Sequence, residues 1–308
     1  MKKKSIGIIG AGKHFVEKIF PVISNSSYFK INGILRKHNK PFKKIAILTE
    51  NEFFKKKFDF VYICCPNNYH EKYILKSLNS NFNVICEKPF MIKNKNLNKI
   101  LNLARYKNKL IFECFMYAYH PVFNHLKKII QSKRYGKINY VISNFRYPSL
   151  KKTDNRYKTN EGKGFFNDAA SYLVSLESYL FNNSNLNFKA ITKKIKKKID
   201  LRGYIFFEKD KKTRHYFWGE GQNYSNNIEI FFDDATIHID KFFSKAKSEP
   251  IYLKIYSQNL KIIKFKPVDQ FRLMFDKIRK NYQKRQFRFL NYSLIKNQMN
   301  LLSKFSKQ

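Results

Sequence analysis

Residues 5–15 have the sequence Ser5-Ile6-Gly7-Ile8-Ile9-Gly10-Ala11-Gly12-Lys13-His14-Phe15. An apolar run of strand length leads into two glycines, and an amphipathic segment of helical period follows. A glycine-rich turn between a strand and a helix is typical of a dinucleotide-binding βαβ unit, where Gly10 permits the tight turn and Gly12 lets the backbone approach a pyrophosphate. Phe15 stands at the third glycine position and weakens the motif. Taken alone, this segment is also compatible with an ordinary glycine turn.

Short apolar strands alternate with amphipathic helices through the rest of the first 116 residues. Strands are predicted at 5–10, 30–35, 45–48, 60–65, 83–86 and 110–114. This alternation predicts an α/β fold, with a doubly wound parallel sheet that carries helices on both faces. We therefore predict a dinucleotide-binding Rossmann domain over residues 1–116.

Extended segments dominate the second half of the chain. Helices are predicted at 121–132, 165–181 and 268–305, and strands at 138–145, 189–199, 203–208, 215–219, 228–232, 236–240, 252–256 and 261–265. Consecutive strands joined by short turns indicate a mostly antiparallel sheet. We predict an α+β domain over residues 117–308.

The chain carries 62 Lys and Arg against 22 Asp and Glu, a formal net charge of +40. Such a surplus attracts polyanions. Only 11 of the 62 are Arg, the residue suited to bidentate recognition of phosphates and bases, and no recognition-helix or zinc-finger pattern accompanies the charge. We expect solvated basic faces and no nucleic-acid partner, with a polyanion contact as the alternative.

Cysteine and histidine usage narrows the class of protein further. The four cysteines lie in apolar stretches and not at the spacing of a disulfide framework, which favours reduced thiols in a cytoplasmic protein. The seven histidines are dispersed without zinc spacing, so no metal site is predicted. No apolar run of about 18 residues occurs, so no membrane association is expected.

The end of the second predicted strand bears on the choice of cofactor. NAD sites place an acidic residue there to bind the ribose hydroxyls, whereas a basic residue accommodates the 2′-phosphate of NADP. The run Gly33-Ile34-Leu35-Arg36-Lys37-His38 contains no acid. Arg36 therefore favours NADP(H) over NAD(H), although in so basic a chain it can also be background.

Two further segments fit the glycine turn in order and spacing. One is the strand that ends in Pro66-Asn67, with His70 four residues after the proline, and the other is Val84-Ile85-Cys86-Glu87-Lys88-Pro89. With them the chain resembles the Gfo/Idh/MocA family, named for glucose–fructose oxidoreductase, inositol dehydrogenase and a protein of rhizopine catabolism. The stretch from Gly162 to Tyr172 resembles the family's later active-site motif.

The resemblance implies a nucleotide-binding domain followed by an open-faced sheet domain that binds substrate and supports homo-oligomers. Members transfer hydride between a nicotinamide and a sugar-like carbon that bears a hydroxyl or a carbonyl group. The predicted cofactor-binding residues are Gly10, Gly12, Lys13, His14, Phe15, Arg36, Pro66, Asn67, His70, Glu87 and Lys88.

Lys88 matches the family lysine that handles the proton near the nicotinamide, and Glu87 matches a glutamate that contacts the cofactor ribose. Asp168 and Tyr172 are four residues apart, so on a helix they share one face and can meet one substrate. Tyr172 stands where many members have His. A subset that resembles glucose–fructose oxidoreductase, dihydrodiol dehydrogenase and nucleotide-sugar ketoreductases has Tyr at this position. The alternative is that Tyr172 is one of 20 tyrosines on a core-facing helix.

We therefore predict Lys88, Tyr172 and Asp168 as catalytic residues. Substrate contacts are predicted at Tyr117, Asn167, Asp168 and Tyr172. Arg156 can face an anionic substrate, with a solvated position as the alternative.

The expected function is that of an NADP(H)-dependent oxidoreductase acting on a sugar or nucleotide-sugar, with Lys88 and Tyr172 handling the proton. An alternative of another class is a non-catalytic regulatory or binding protein on the same scaffold, whose basic surface holds a polyanion. Two departures from the family pattern are compatible with this alternative: the third glycine of the turn is replaced by Phe15, and Ala118 stands where members often have Arg. The intact Glu87-Lys88-Pro89 argues against it.

Overall fold

The computed structural model of the chain describes residues 3–37, 42–157, 164–182, 188–196, 199–209 and 212–306. The strands are β1 (Lys4–Ile9), β2 (Phe29–Leu35), β3 (Ile47–Leu48), β4 (Phe60–Ile63), β5 (Asn83–Cys86), β6 (Ile111–Glu113), β7 (Ile138–Tyr147), β8 (Phe188–Lys196), β9 (Ile199–Lys209), β10 (Lys212–Glu220), β11 (Ser225–Phe232), β12 (Thr236–Asp240), β13 (Ile251–Tyr256) and β14 (Leu260–Phe265). The α-helices are α1 (Phe20–Ser24), α2 (Glu50–Lys55), α3 (His70–Asn79), α4 (Leu97–Tyr106), α5 (Pro121–Ser132), α6 (Ser171–Tyr179), α7 (Gln270–Asn281) and α8 (Arg285–Ser306). Two π-helical turns, Phe15–Ile19 and Phe166–Ala170, directly precede α1 and α6, and 3₁₀ turns lie at Asn67–Tyr69, Met116–Tyr119 and Asn155–Tyr157.

The first compact unit comprises residues 1–114 and 274–299. Its six strands are parallel and follow the order β3-β2-β1-β4-β5-β6, which confirms the predicted doubly wound sheet. The strand order reverses between β1 and β4. In open parallel sheets, ligands bind beyond the carboxyl ends of the strands at such a reversal. The loops that follow β1, β4 and β5 are therefore the place to look for a site.

The C-terminal helices contribute residues 274–299 to this first unit, whereas a division after residue 116 assigns them to the second. The Phe275 ring lies 5.7 Å from that of Phe29 and 5.9 Å from that of Tyr62, measured between centroids. The hydroxyl of Tyr292 donates to the carbonyl of Lys109 at 2.5 Å. Apolar periodicity predicts that this segment is helical, but it does not specify which sheet the helix covers.

The second unit comprises residues 115–273 and 300–308 and contains an eight-stranded sheet of order β14-β13-β12-β11-β7-β10-β9-β8. All neighbouring strands are antiparallel except β7 and β10, which run parallel. Buried residues alternate with partly exposed ones along β10 and β11, so one face of the sheet is packed and the other is open. This confirms the predicted mostly antiparallel, open-faced sheet. Residues 197–198 of the strand predicted at 189–199 lie outside the described residues.

Candidate functional site

The glycine turn after β1 is shaped by a close backbone approach. Gly10 has φ = +85°, and a Cβ atom at this position would lie 2.6 Å from the amide nitrogen of Cys65. No side chain fits there, so Gly10 is required by both conformation and space. Nothing lies within 4 Å of the Cβ position of Gly12, which leaves the backbone of this residue open to a ligand. These are the properties that a pyrophosphate-binding turn needs.

Phe15, at the third glycine position of the motif, is completely buried. Its ring packs against Phe20, Phe42 and Tyr62 at centroid distances of 6.1, 6.0 and 6.5 Å. It begins the π-helical turn that leads into α1. Its side chain therefore contributes to the core below the turn. The Lys13 side chain is 85% exposed, and its Nζ lies 3.8 Å from Oε1 of Glu17.

The end of β2 is basic, as the sequence indicates. The Arg36 guanidinium lies 5.8 Å from the ring centroid of Phe42, and the Lys37 ammonium lies 5.7 Å from that of Tyr69. Both cations are held beside aromatic rings, where cation–π attraction restricts their motion. His38, the last residue of the predicted run, lies outside the described residues.

His70, predicted as a cofactor-binding residue, is fully buried. Its Nδ1 lies 2.9 Å from the carbonyl oxygen of Pro89, and its Nε2 lies 3.0 Å from that of Cys65. Burial lowers the pKa of His70, and the hydrogen bonds to the two carbonyls oppose that shift. His70 therefore joins the segment that follows β4 to the segment that carries Lys88. Pro66 and Asn67, on the surface side of this joint, are partly exposed.

Glu87 connects the Lys88 segment to the glycine turn. The Tyr62 hydroxyl donates to Oε1 of Glu87, and Nε2 of His14 lies 3.2 Å from the same oxygen. Burial alone would raise the pKa of Glu87, but His14, Tyr62 and Lys88 outweigh it and lower the pKa overall. Glu87 is thus an ionised acceptor whose side chain is 14% exposed.

The segment that carries Lys88 is fixed by the two neighbouring strands. The amide of Glu87 donates to the carbonyl of Ile63 at 2.9 Å, and the amide of Phe90 donates to Oε1 of Glu113 at 2.8 Å. Lys88 itself is partly exposed, and its peptide bond to Pro89 is cis.

Glu113, Tyr62 and Tyr147 are functional candidates that the sequence analysis did not select. Glu113 carried a recognisable signal, since it is the single charged residue of the apolar strand β6. It is fully buried, and burial raises the pKa of its carboxyl to about 8, although the Phe90 amide and the charge of Lys88 oppose the shift. The carboxyl group therefore holds a proton near neutral pH.

In the second unit, the predicted residue Asp168 lies in the π-helical turn and accepts two hydrogen bonds at Oδ2. Nε of Arg156 donates at 2.7 Å and the Tyr147 hydroxyl at 3.1 Å. Nη1 of Arg156 also donates to both carboxylate oxygens of Asp154, at 3.0 Å each. The charge of Asp168 raises the pKa of Arg156, while burial and Asp168 raise that of Tyr147. Arg156 is therefore committed to two carboxylates of its own chain, and Asp168 is held in place by Arg156 and Tyr147.

Tyr172 lies in α6, within a cluster of aromatic rings, and is 6% exposed. The rings of Phe145, Phe115 and Phe243 lie 4.9, 5.5 and 5.8 Å from it between centroids, and its hydroxyl lies 3.5 Å from Sδ of Met116. The cluster reaches the Asp168 group because Phe145 also packs against Tyr147, at 6.1 Å.

The other substrate candidates differ in exposure. Tyr117 is fully buried, its ring lies 6.0 Å from that of Tyr172, and its hydroxyl is 2.5 Å from Oγ of Ser175. Tyr117 therefore packs against Tyr172 in the interior of the second unit. Asn167 is partly exposed beside Asp168. Gly162 and Lys163, the first residues of this motif, lie outside the described residues.

The residues that the structure describes contain neither a metal-binding cluster nor a membrane-spanning helix. Within those ranges, no group of three or more His, Cys, Asp or Glu side chains could hold a metal ion. None of the helices described is both long and apolar enough to cross a membrane.

Comparison with known families is decisive for the identity of both units. The model of an oxidoreductase family with an NAD-binding Rossmann fold matches residues 4–115, and that of the Gfo/Idh/MocA C-terminal domain matches residues 123–238. The chain belongs to the Gfo/Idh/MocA family. It is therefore an NAD(P)-dependent oxidoreductase, as predicted.

Several Gfo/Idh/MocA relatives are similar over much of the chain. A dTDP-3,4-didehydro-2,6-dideoxy-alpha-D-glucose 3-reductase from Saccharopolyspora spinosa is 22% identical over 253 residues, which cover 79% of this chain and 76% of the relative. The NADP(+) scyllo-inositol 2-dehydrogenase of Bacillus subtilis is 24% identical over 68% of this chain and 65% of its own. The fold matches that of a 3-ketoreductase from Actinomadura kijaniata in complex with NADP and TDP-benzene, with a TM-score of 0.91, 17% identity and coverage of 99% and 98%.

The titration of Glu113 gives a prediction about stability. In the folded chain the pKa of Glu113 is raised to about 8, whereas in the unfolded chain this carboxyl has the ordinary glutamate pKa of 4.5. Between these values the free energy of unfolding falls as pH rises, by at most about 1.4 kcal/mol per pH unit. In Glu113→Gln this contribution is absent, so the stability of the variant relative to the native chain should increase steadily with pH. Urea unfolding of both proteins at several values between about pH 5 and pH 8 measures the difference. Parallel pH dependences would show that Glu113 does not hold the proton.

Proposed function

We propose that this enzyme transfers hydride between NADP(H) and a carbonyl or hydroxyl carbon of a sugar or nucleotide-sugar. The observation that carries the proposal is the joint between the glycine turn and Glu87-Lys88, made through His14 and Tyr62. It brings a backbone suited to a pyrophosphate next to an amine suited to proton transfer. A polyanion-binding scaffold has no need of such a joint.

The residues present fit a dinucleotide. Gly10 makes the tight turn, and Gly12 leaves its backbone open to a pyrophosphate. Glu87 offers an ionised acceptor, and Arg36 offers a cation where NAD sites carry an acid. A bound nicotinamide supplies or accepts the hydride. The preference for NADP(H) rests on Arg36 and on the absence of any acidic residue in the described run 33–37. The relatives whose names include NADP support it.

Lys88 and Tyr172 are proposed to handle the proton. When a carbonyl is reduced, its oxygen takes up one proton, and an ammonium or a phenol can donate it. Tyr172 is oriented by the rings around it and Lys88 by the backbone bonds of Glu87 and Phe90. Asp168, held by Arg156 and Tyr147, is proposed to accept hydrogen bonds from substrate hydroxyls and so to position the sugar.

A nucleotide-linked keto-sugar is the proposed substrate class. The similar reductase of Saccharopolyspora spinosa is named for a dTDP-linked sugar, and the structurally similar 3-ketoreductase was solved with a TDP ligand. A diphosphate also suits a chain of net charge +40, because long-range attraction raises the rate of encounter.

We also propose that the chain forms a homo-oligomer through the open face of its second sheet. Four adjacent apolar residues on the edge strand β14 and its neighbour β13 are 42–56% exposed: Tyr252, Tyr256, Leu260 and Ile262. Adjacent exposed apolar residues of this kind mark interaction surfaces. Light scattering should give a mass that is a multiple of the chain mass, and Ile262→Lys should shift it toward the monomer. A monomeric native chain would contradict the proposal.

Arg36→Ala tests the choice of cofactor. Loss of a charged partner for the 2′-phosphate should raise the Kd for NADPH about tenfold or more and change that for NADH by less than about twofold. Fluorescence titration with both nucleotides measures this. Arg105→Ala is the charge-matched control, because it removes an exposed arginine from helix α4 of the same unit. Equal losses for NADPH and NADH would remove Arg36 from cofactor selection.

Lys88→Met tests the proton chemistry. The variant should bind NADPH with a Kd within about threefold of the native value, but its kcat should fall about 100-fold or more because a proton donor is lost. Turnover is followed by NADPH oxidation with a panel of dTDP-linked keto-sugars. Near-native turnover would remove Lys88 from the chemistry.

A native chain that binds neither nucleotide, yet binds heparin with a steep salt dependence, would favour the polyanion scaffold.

A further inference from the structure

One peptide group, directly after Lys88-Pro89, is held at both of its polar atoms by buried ionisable side chains. Its carbonyl oxygen, on Pro89, lies 2.9 Å from Nδ1 of His70. Its N–H, on Phe90, donates to Oε1 of Glu113 at 2.8 Å. His70 and Glu113 are both completely buried, so neither can present its side chain to a ligand at the surface.

The two side chains come from elements on either side of the segment that carries Lys88. Glu113 ends β6 and pairs with Cys86 of β5, the strand that leads into Glu87 and Lys88. His70 begins α3 and is tied through Nε2 to the carbonyl of Cys65. The position of this peptide is thus set by rigid elements, and the Cα atom of Lys88 is separated from it by a single residue.

The second carboxyl oxygen of Glu113 distinguishes this residue from an ordinary backbone anchor. Oε2 is buried and has no hydrogen-bond partner within the part of the chain that the structure describes. A glutamine at this position would also accept a hydrogen bond from the amide. The titratable groups around Glu113 are Lys88 and Glu87 on the loop after β5, Cys86 on β5 and Cys114 next along the chain, with His70 across the clamped peptide.

We infer that His70 and Glu113 are positioning residues for Lys88, and that Glu113 also sets the charge next to the lysine. This rests on the proposed function, because it assumes that Lys88 handles the proton. It also gives His70 a role behind the site in place of direct contact with the cofactor. Near neutral pH the Glu113 carboxyl is neutral, since burial raises its pKa to about 8. At higher pH it becomes an anion and favours the cationic form of Lys88.

The test compares three variants of the full chain. Glu113→Gln keeps the acceptor for the Phe90 amide but cannot ionise. Glu113→Leu removes both functions. Glu50→Gln is the matched control, since Glu50 is a first-unit glutamate whose ion-pair partners are the surface lysines Lys72 and Lys76.

The positioning role is read from kcat and KM with a dTDP-linked keto-sugar. Glu113→Leu should lower kcat about tenfold or more while KM and the NADPH Kd change less than about threefold. Glu113→Gln should restore most of that loss at pH 7. In Glu113→Gln the alkaline limb of the kcat profile for carbonyl reduction should move to lower pH. A Leu variant with near-native kcat, or a Gln variant whose pH profile superimposes on the native one, would overturn the inference.

A second measurement does not depend on turnover. Only the neutral amine reacts with acetic anhydride, so the rate of Lys88 acetylation, followed by peptide mass spectrometry, reports its charge. Above pH 8 this rate should be about threefold higher in Glu113→Gln than in the native chain and in Glu50→Gln. Equal rates would overturn the electrostatic coupling. If the native chain binds NADPH but reduces no keto-sugar, the proposed substrate class fails, while the acetylation rates still decide whether Glu113 acts on Lys88.

Discussion

The backbone of Gly10 lies so close to that of Cys65 that a Cβ atom would approach the Cys65 amide nitrogen to 2.6 Å. The rest of the first-unit site is built on this approach. The carbonyl of Cys65 meets His70, His70 meets the carbonyl of Pro89, and the amide that follows Pro89 meets Glu113. Groups from the loops that follow β1, β4 and β5, from α3 and from β6 thus contact one another in turn, and the loop after β5 carries Lys88.

The second unit achieves the same precision by different means. Tyr172 is oriented mainly by aromatic packing, and its hydroxyl lies 3.5 Å from Sδ of Met116. Asp168 is oriented by an arginine and a phenol, which keep its charge in a partly buried place. An acceptor fixed in this way loses little conformational entropy when it accepts a further hydrogen bond.

Much of this arrangement follows from local sequence. The parallel sheet, the mostly antiparallel sheet, the glycine turn and Glu87-Lys88-Pro89 are all visible as periodicity or as short motifs, because each is set by residues close together in the chain. What escaped prediction is long-range. Glu113 holds an amide 23 residues away and Arg156 holds a carboxylate 12 residues away. A pattern of apolar and polar residues indicates that a side chain is buried, but not which partner it meets. Phe15 illustrates the limit: as a departure from the glycine motif it suggests a weakened turn, yet its ring fills the core below that turn.

The first unit is discontinuous in sequence, with residues 1–114 completed by residues 274–299. During synthesis the N-terminal strands emerge first, and domains generally begin to fold in that order. The rings of Phe29 and Tyr62 lack their contacts with Phe275 until that residue has been made, so the packing of this core is complete only when nearly the whole chain is available. The nucleotide-binding unit therefore completes its packing only after the residues of the second unit that precede Met274 have been translated.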